Sequence, residues 1–367
     1  MATNDANRYE IGRGERLKLR VGTIAWFLAI IGLLLSLPIL LDLGWWALAA
    51  AIVLALLLAL PIWWLVRRLF ARQHLRRWFS GYFATTLAVL SVIAITIATP
   101  LYTLAVTTAV QPLTVPQASL TDGNKTVVFQ GMVHVGSEGF YKSVVYDIEK
   151  ALSEGYAIYY EGVSNDPAGD AWFSQNLAGG GDLSANYSKL GDACGLKFQL
   201  NYFGLLQQDM AEHPERHVTA DVSTADMMHE YERLVAADPG FAARVAAARQ
   251  DDTSQGEGDG AAAIFNWLEN ATPGQRALVG VACRGMMTRL LGAKSEPSAL
   301  DPIILDYRNR ELAKRIEAGP DKIFITYGAA HLPGLLEDLR AINPAWEIGS
   351  VKWLRAIEAP DNLEGEI

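Results

Sequence analysis

The stretch that decides the fold is Thr126-Val-Val-Phe-Gln-Gly-Met-Val-His134, a β-branched and apolar run that ends in a glycine and a histidine. Such a run is typical of a buried strand followed by a turn. The apolar residues of 141–152 recur at helical spacing, and residues 157–161 are typical of a second strand. A strand, a helix and a strand at this spacing predict a βαβ unit with a parallel pair. The expected fold class is α/β, with a central sheet.

The chain after this unit extends the same pattern. Residues 166–280 are mostly helical in character, and two Gly-rich or polar stretches, 176–192 and 250–260, predict loops. Helical spacing returns at 304–317. The last predicted elements are a strand at 322–327, a helix at 333–340 and a closing strand at 350–357. These elements together predict one α/β domain over residues 125–367.

Residues 1–110 have a different character, because they contain three long runs without any charged residue. The runs are 21–41, 43–66 and 82–110. A bilayer core needs roughly 20 apolar residues in a helix, so the runs predict three transmembrane helices. Residues 41–44 would join the first two as a tight hairpin. The alternative for the third run is a buried core helix of the following domain.

The basic residues near these runs predict the orientation of the anchor. They lie before the first run and between the second and the third. They are Arg8, Arg13, Arg16, Lys18, Arg20, Arg67, Arg68, Arg72, Arg76 and Arg77. Short loops rich in Lys and Arg stay in the cytoplasm, so three spans place the following domain in the periplasm or outside the cell. Residues 111–124, with two prolines, predict a linker. Cys194 and Cys283 lie beyond it, and the sequence leaves open whether they pair or stay free thiols.

Charge divides the chain in the same way. Residues 1–80 hold ten Lys and Arg against four Asp and Glu, while the chain after residue 110 holds 21 against 36. The acidic balance of the larger part argues against nucleic acid as a partner, since phosphate binding needs clustered Lys and Arg. The expected partners are the lipid bilayer and a peptide or protein substrate.

Several common catalytic signatures do not occur in this sequence. His229-Glu230 has no second histidine at the spacing of a zinc helix, and Val135 stands where a nucleophile elbow needs glycine. The glycines at 179–181 do not match a nucleotide-binding loop. His213 and His217 are four residues apart, but Pro214 between them favours a solvated surface over a metal site.

Two matching segments carry the candidate chemistry, Gly131-Met-Val-His134 and Gly328-Ala-Ala-His331. Each follows a predicted strand and precedes a helix, and ligands of α/β proteins gather at the carboxyl ends of strands. Glu161 ends the intervening strand. Two histidines and a glutamate form an open metal site, in which a divalent ion activates water. The alternative is a pair of ordinary turns with satisfied histidines and a glutamate on the surface.

A wider pattern surrounds these residues. It consists of the first Gly-x-x-His segment, the strand end Tyr159-Tyr-Glu161, an Arg308-Asn309 pair heading a helix, and the second Gly-x-x-His segment. With these four elements in this order, residues 126–357 resemble the TraB/PrgY–GumN–Tiki superfamily. The resemblance implies a fold like that of the erythromycin-esterase and ChaN-like proteins. For the Tiki branch it also implies a membrane-tethered, metal-dependent peptidase.

The resemblance also assigns roles to individual residues. It implies that His134, Glu161 and His331 are metal ligands or catalytic groups, and that Arg308 stabilises an oxyanion or holds the carboxylate. The expected cofactor is a divalent ion, Mn, Co or Zn. Glu138, four residues after His134, is interpreted as an acid favoured at a helix N-terminus rather than as a ligand. The expected function is a hydrolase, specifically a peptidase; the alternatives are a module that sequesters a peptide signal and a haem- or iron-binding protein.

Overall fold

The computed structural model describes residues 12–40, 45–70, 78–177, 183–254, 267–268, 270–293 and 297–359. The chain forms two compact units, Met1–Thr103 and Leu104–Ile367. Some predicted features lie outside the described residues. They are the hairpin connection 41–44, the basic residues Arg8, Arg72, Arg76 and Arg77, and the loop segments 178–182 and 255–260.

The first unit is built from long helices. They are α1 (Arg13–Leu40), α2 (Trp45–Phe70) and α3 (Trp78–Val110), whose last turns belong to the second unit. Among the described residues, two segments are long and apolar enough to cross a membrane by length and composition, Leu48–Arg68 and Gly81–Val110. Few residues of Gly81–Val110 are buried. A buried core helix, the alternative for the third run, would have most of its residues buried, and this segment does not.

The second unit contains a six-stranded sheet in the order β6–β4–β7–β2–β1–β8. Its strands are β1 (Leu113–Thr121), β2 (Thr126–Met132), β4 (Ala157–Tyr160), β6 (His217–Thr219), β7 (Lys322–Gly328) and β8 (Glu347–Ile357). β6, β4, β7 and β2 are parallel, whereas β1 runs antiparallel to both β2 and β8. A separate pair joins β3 (Val135–Gly136) to β5 (Lys197–Phe198). The prediction of an α/β fold with a central sheet is confirmed at this level.

Helices pack against both faces of the sheet. Those between β3 and β6 are α4 (Glu138–Ser153), α5 (Asp170–Asn176), α6 (Leu183–Cys194), α7 (Leu200–Phe203) and α8 (Gln207–Glu212). After β6 come α9 (Thr224–Ala237), α10 (Pro239–Ser254), α11 (Pro273–Gly292), a π-helical turn (Pro302–Tyr307), α12 (Arg308–Ala318) and α13 (His331–Ile342). A disulfide joins Cys194 in α6 to Cys283 in α11, with the two Cα atoms 5.1 Å apart.

The alternation of side chains along β2 and β7 divides the core into two layers. Successive residues of a strand point to opposite faces, so Val127 and Phe129 pack with Leu312 of α12 and Leu335 of α13. Met132 packs on the other face with α4 and its neighbours. The buried positions of α4 recur every three or four residues, which explains why the segment forms an amphipathic helix. Both faces of the parallel strands are covered, which leaves the strand ends as the natural place for a site.

Some segments that the sequence predicts as connections form regular structure instead. Residues 113–121 are a strand rather than a linker, since Val115, Ala118 and Leu120 are buried in the sheet. The pairing of β1 with β2 begins at Gln117, one residue after Pro116, so the proline stands where β1 has no partner in β2. The predicted loop at 176–192 contains helix α6 from Leu183 onward.

Candidate active site

Four parallel strands end at one edge of the sheet, and each carries an ionisable residue just beyond its last residue. Asp221 follows β6, Glu161 follows β4, His331 follows β7 and His134 follows β2. The register pairs Met132 with Gly328, which places the two Gly-x-x-His segments side by side. Arg308, the first residue of α12, also reaches this edge, since it donates to Asp221 and Glu161. All four predicted site residues therefore lie at this edge: His134, Glu161, Arg308 and His331.

Arg308 is the centre of a buried ion-pair network. Its Nε and Nη2 atoms donate to the two carboxylate oxygens of Asp221, at 2.9 and 2.5 Å, and Nη2 also donates to Glu161 Oε1 at 2.7 Å. Burial alone would lower the pKa of Arg308, but the two carboxylates raise it above its ordinary value. Burial acts to raise the pKa of Asp221, and the hydrogen bonds from Arg308, Val222 and Gly162 outweigh it and lower that pKa. The guanidinium is thus permanently charged and rigidly held.

One atom of the guanidinium is less engaged than the others. Among the described residues, Nη1 of Arg308 makes two long contacts, each of 3.4 Å, to the carbonyl oxygen of Ile304 and to Nε2 of His331. A hydrogen bond of ordinary strength is shorter, close to 2.9 Å. Nη1 is therefore the atom of Arg308 with capacity to donate to a new acceptor at this edge.

His331 is buried, with only 3% of its side chain exposed. Its Nδ1 lies 2.8 Å from Oδ1 of Asn309, and because an amide oxygen only accepts, Nδ1 carries the proton and Nε2 has the free electron pair. Burial, and next the charge of Arg308, lower the pKa of His331 to about 4, although Glu161 and Asp221 oppose the shift. The imidazole is neutral at neutral pH. Its Nε2 lies 3.7 Å from Glu161 Oε1.

His134 lies at the exposed side of the same edge. Its ring stacks on Tyr187 of α6, with ring centroids 4.4 Å apart, and its Nδ1 lies 3.2 Å from Nε2 of Gln199. In this orientation of the amide, Gln199 donates to Nδ1, so the proton of the imidazole is on Nε2. Partial burial is the main cause that lowers the pKa of His134; the charge of Glu161 opposes the shift and that of Arg308 adds to it.

The two motif glycines have different surroundings, and the backbone conformation requires glycine at neither of them. Neither Gly131 nor Gly328 has a positive φ, so the backbone there suits any residue. A Cβ at Gly131 would lie 2.9 Å from the carbonyl oxygen of Pro116, where no atom fits. A Cβ at Gly328 would meet its neighbours at 3.5 Å, an ordinary contact. The backbone N–H of Gly328 matters instead, because it donates to Glu161 Oε2 at 2.6 Å.

Two further residues weighed in the sequence have clear positions. Glu138 opens α4 and forms an exposed ion pair with Lys142 at 2.7 Å, which lowers the pKa of Glu138. His217 is buried rather than solvated, so that expectation is wrong. Its Nδ1 lies 2.8 Å from the hydroxyl of Tyr160 and its Nε2 lies 2.6 Å from Asp209.

The donor chemistry at the edge suits two ligands of a divalent ion. Nε2 of His331 has a free electron pair and lies 3.7 Å from a carboxylate oxygen of Glu161. Two ligands that each bind zinc at about 2.0–2.2 Å in a tetrahedron lie roughly 3.3–3.5 Å apart. His134 would have to supply the third ligand from the neighbouring strand end. Over the described part of the chain, however, no three His, Cys, Asp or Glu side chains converge closely enough to hold an ion.

No pattern in the sequence predicts a role for Asp221, Asn309, Tyr187 or Gln199. Asp221 follows a strand of only three residues, which has no readable alternation. Asn309 stands beside Arg308 in the quoted pair, and that adjacency was the available signal. Tyr187 and Gln199 lie near segments that predicted a loop, and no local pattern marks either residue.

Comparisons with known protein families, with curated proteins and with solved structures found no match for this chain. The resemblance to the TraB/PrgY–GumN–Tiki superfamily thus rests on the four quoted sequence elements. The geometry of the site has to carry the functional argument by itself.

Proposed function

We propose that this chain is a membrane-tethered hydrolase of the TraB/GumN type, and specifically a peptidase that acts outside the cytoplasm. The observation that carries the proposal is the arrangement of His331, Glu161 and Arg308 at the carboxyl edge of the sheet. A neutral imidazole with a free electron pair stands beside a carboxylate and a fixed positive charge. Those are the parts that an attack of water on a carbonyl group requires.

The roles follow from the hydrogen bonds. His331 Nε2 accepts a proton from the attacking water, and Glu161 at 3.7 Å stabilises the resulting imidazolium. Asn309 keeps the ring oriented by accepting the proton of Nδ1. Nη1 of Arg308 donates to the carbonyl oxygen as negative charge develops on it. His134, with its proton on Nε2, is placed to donate to the leaving amine.

A divalent ion, Mn, Co or Zn, is proposed as the cofactor. Glu161 and His331 would hold it, with His134 as the third ligand. An imidazole nitrogen that binds a metal has no electron pair left for a proton, so the proton-transfer roles given above for His331 and His134 apply to the site without the ion. When bound, such an ion would lower the pKa of water and polarise a carbonyl group. The network around Arg308 holds two carboxylates against one guanidinium, and this excess of negative charge favours a cation at the edge.

The location belongs to the same proposal. We propose that α1, α2 and α3 all cross the membrane, with the N-terminus in the cytoplasm. The basic residues near these helices support this orientation. The disulfide between Cys194 and Cys283 supports an oxidising compartment for the second unit. Two reporters fused after Ile367 test this orientation. One that works only outside the cytoplasm should be active, and one that works only in the cytoplasm should be inactive.

The test uses the full chain in phospholipid nanodiscs, with quenched peptide libraries as substrates. Hydrolysis is measured after chelation and after adding back Mn²⁺, Co²⁺ or Zn²⁺, and bound metal is measured on the same samples. Glu161→Gln and His331→Ala are each expected to lower the rate by roughly 100-fold or more. His213→Ala is the matched control, because His213 is half-exposed and lies away from the site.

Each outcome has a distinct meaning. Hydrolysis that survives both Glu161→Gln and His331→Ala would exclude this site as the catalytic one. Hydrolysis that survives complete chelation would exclude the metal and leave the charge of Arg308 as the electrostatic element. Tight peptide binding without cleavage would support the sequestering module instead, and a Soret absorption band would support haem binding.

A further inference from the structure

Helix α11 carries apolar residues on a face that points away from the protein core. Val279, Ala282, Met286 and Leu290 recur at intervals of three and four residues, so they form one stripe. Met286 is 50% exposed and Leu290 is 67% exposed. The opposite face is the buried one, since Ala277, Gly280, Arg284, Gly285 and Thr288 lie there. A surface helix of a soluble protein normally turns polar residues outward, and α11 does not.

The position of α11 indicates what covers this stripe. A Cβ at Gly285 would lie 2.5 Å from the carbonyl oxygen of Leu104, so α11 crosses directly over the last turns of α3. Arg289 Nη2 donates to Thr107 Oγ1 at 3.0 Å, one turn further along. These turns end Gly81–Val110, the longer of the two segments that are apolar enough to cross a membrane.

The length of that segment sets the level of the crossing. Its 30 residues extend about 45 Å as a helix, whereas the hydrocarbon core is about 30 Å thick. The last turns therefore reach the headgroup region. Val106 and Val110 in these turns are themselves exposed, at 56% and 71%. An apolar stripe crossing at this level meets lipid.

The charges of α11 favour the same neighbour. The helix has two exposed arginines, Arg276 and Arg289, and neither Asp nor Glu, although the chain after residue 110 is strongly acidic. Arg289 flanks the stripe next to Leu290, where a long side chain can extend its charge to lipid phosphate. Apolar residues on one side with arginines beside them are the pattern of helices that lie in a bilayer interface.

We propose that the outer stripe of α11 lies in the interface of the bilayer, so that the second unit rests on the membrane through this helix. The inference rests on the membrane anchor proposed above and goes beyond tethering. It also bears on the site, because the disulfide joins α11 to α6, and Arg284 donates to the carbonyl oxygen of Cys194 at 2.9 Å. α6 carries Tyr187, which stacks on His134. An α11 that lies on lipid thus fixes the His134 side of the candidate site relative to the membrane.

The test measures the immersion of nitroxide labels in the full chain, in nanodiscs of phosphatidylcholine and phosphatidylglycerol. The label is placed at Leu290→Cys, and at Met286→Cys as a second position on the stripe. Leu205→Cys is the matched control, because Leu205 is 64% exposed but lies beside Glu149 and Glu212. Val92→Cys, 62% exposed within α3, reports on the anchor alone. Oxygen collects in lipid and a nickel chelate stays in water, so the ratio of the two accessibilities measures depth.

We expect a ratio several-fold higher at Leu290 and Met286 than at Leu205. A lipid-like ratio at Val92 with water-like ratios at Leu290 and Met286 would overturn the inference and leave the anchor in place. Water-like ratios at all positions would overturn both. Low accessibility to both reagents with dipolar broadening at Leu290 would show that a second copy of the chain covers the stripe, which also overturns the inference.

Discussion

His331 and His134 end matching Gly-x-x-His segments on adjacent parallel strands, yet their surroundings differ. His331 is buried, is held by Asn309, and lies within a network of Arg308, Asp221 and Glu161. His134 is exposed and is held by an aromatic stack and an amide. The difference shows that the motif sets the position of the histidine at the end of its strand. The residues on the neighbouring strands set the charge and the tautomer of its imidazole. On β7 those neighbours include Glu161, whereas on β2 one neighbour is the antiparallel β1.

The largest expected effect is on stability, at the ion-pair network of Arg308, Asp221 and Glu161 around His331. Arg308→Met leaves Asp221 and Glu161 without their shared cation, and Asp221 is fully buried. Removing one member of a buried ion pair costs about 3–5 kcal/mol, so we expect the free energy of unfolding of the second unit to fall by that amount. Chemical denaturation followed by tryptophan fluorescence measures it. Arg310→Met is the matched control, because Arg310 is half-exposed and its partner Glu230 keeps Arg233; a loss below about 1 kcal/mol is expected. If the two variants lose equal free energy of unfolding, the buried network contributes no more stability than an exposed ion pair.

The two histidines should also differ in how they link stability to pH. The folded state holds the pKa of His331 at about 4, against 6.5 for an unperturbed ring. Between pH 6.5 and pH 4 the unfolded chain therefore binds a proton that the folded chain refuses, and stability falls as the pH falls. The full shift corresponds to about 3 kcal/mol. We expect His331→Asn to flatten this part of the stability profile and His134→Asn to flatten it less. If His134→Asn flattens the dependence of stability on pH more than His331→Asn does, His134 and not His331 is the histidine that links stability to pH.

The motif glycines give a smaller and purely steric contrast. Gly131→Ala drives a methyl group to 2.9 Å from a backbone oxygen of β1, whereas Gly328→Ala makes ordinary contacts. Overpacking of this kind costs about 1–3 kcal/mol, so we expect that loss for Gly131→Ala and less than about 1 kcal/mol for Gly328→Ala. Thermal unfolding of the two variants side by side measures the difference. Equal melting temperatures would show that the backbone of β1 shifts at Pro116 to make room for the methyl group.

The ends of β2 and β7 could be predicted from the sequence, because each is an apolar, β-branched run followed within a few residues by a glycine and a histidine. β1 was missed, since Pro116 and the polar residues around it imitate a linker in a one-dimensional reading. Asp221 was missed for a different reason. It meets Arg308 across 87 residues, and only the topology of the sheet brings them together. The surroundings of each histidine depend on such distant pairs, so two matching motifs could not be told apart from the sequence.

The smallest expected effect concerns the stack on His134. Tyr187→Leu removes the ring that shields one face of the imidazole, at a cost of about 0.5 kcal/mol in stability. Because burial is the main cause of the lowered pKa of His134, solvent that enters in place of Tyr187 should raise that pKa toward its ordinary value. Histidine-selective NMR titration of the full chain in nanodiscs measures both rings at once, and the titration of His331 should stay unchanged. Tyr146→Leu, an exposed tyrosine in α4, is the control. If Tyr187→Leu moves both histidines together, their environments are coupled, and the separation between a shielded His331 and a solvent-accessible His134 no longer holds.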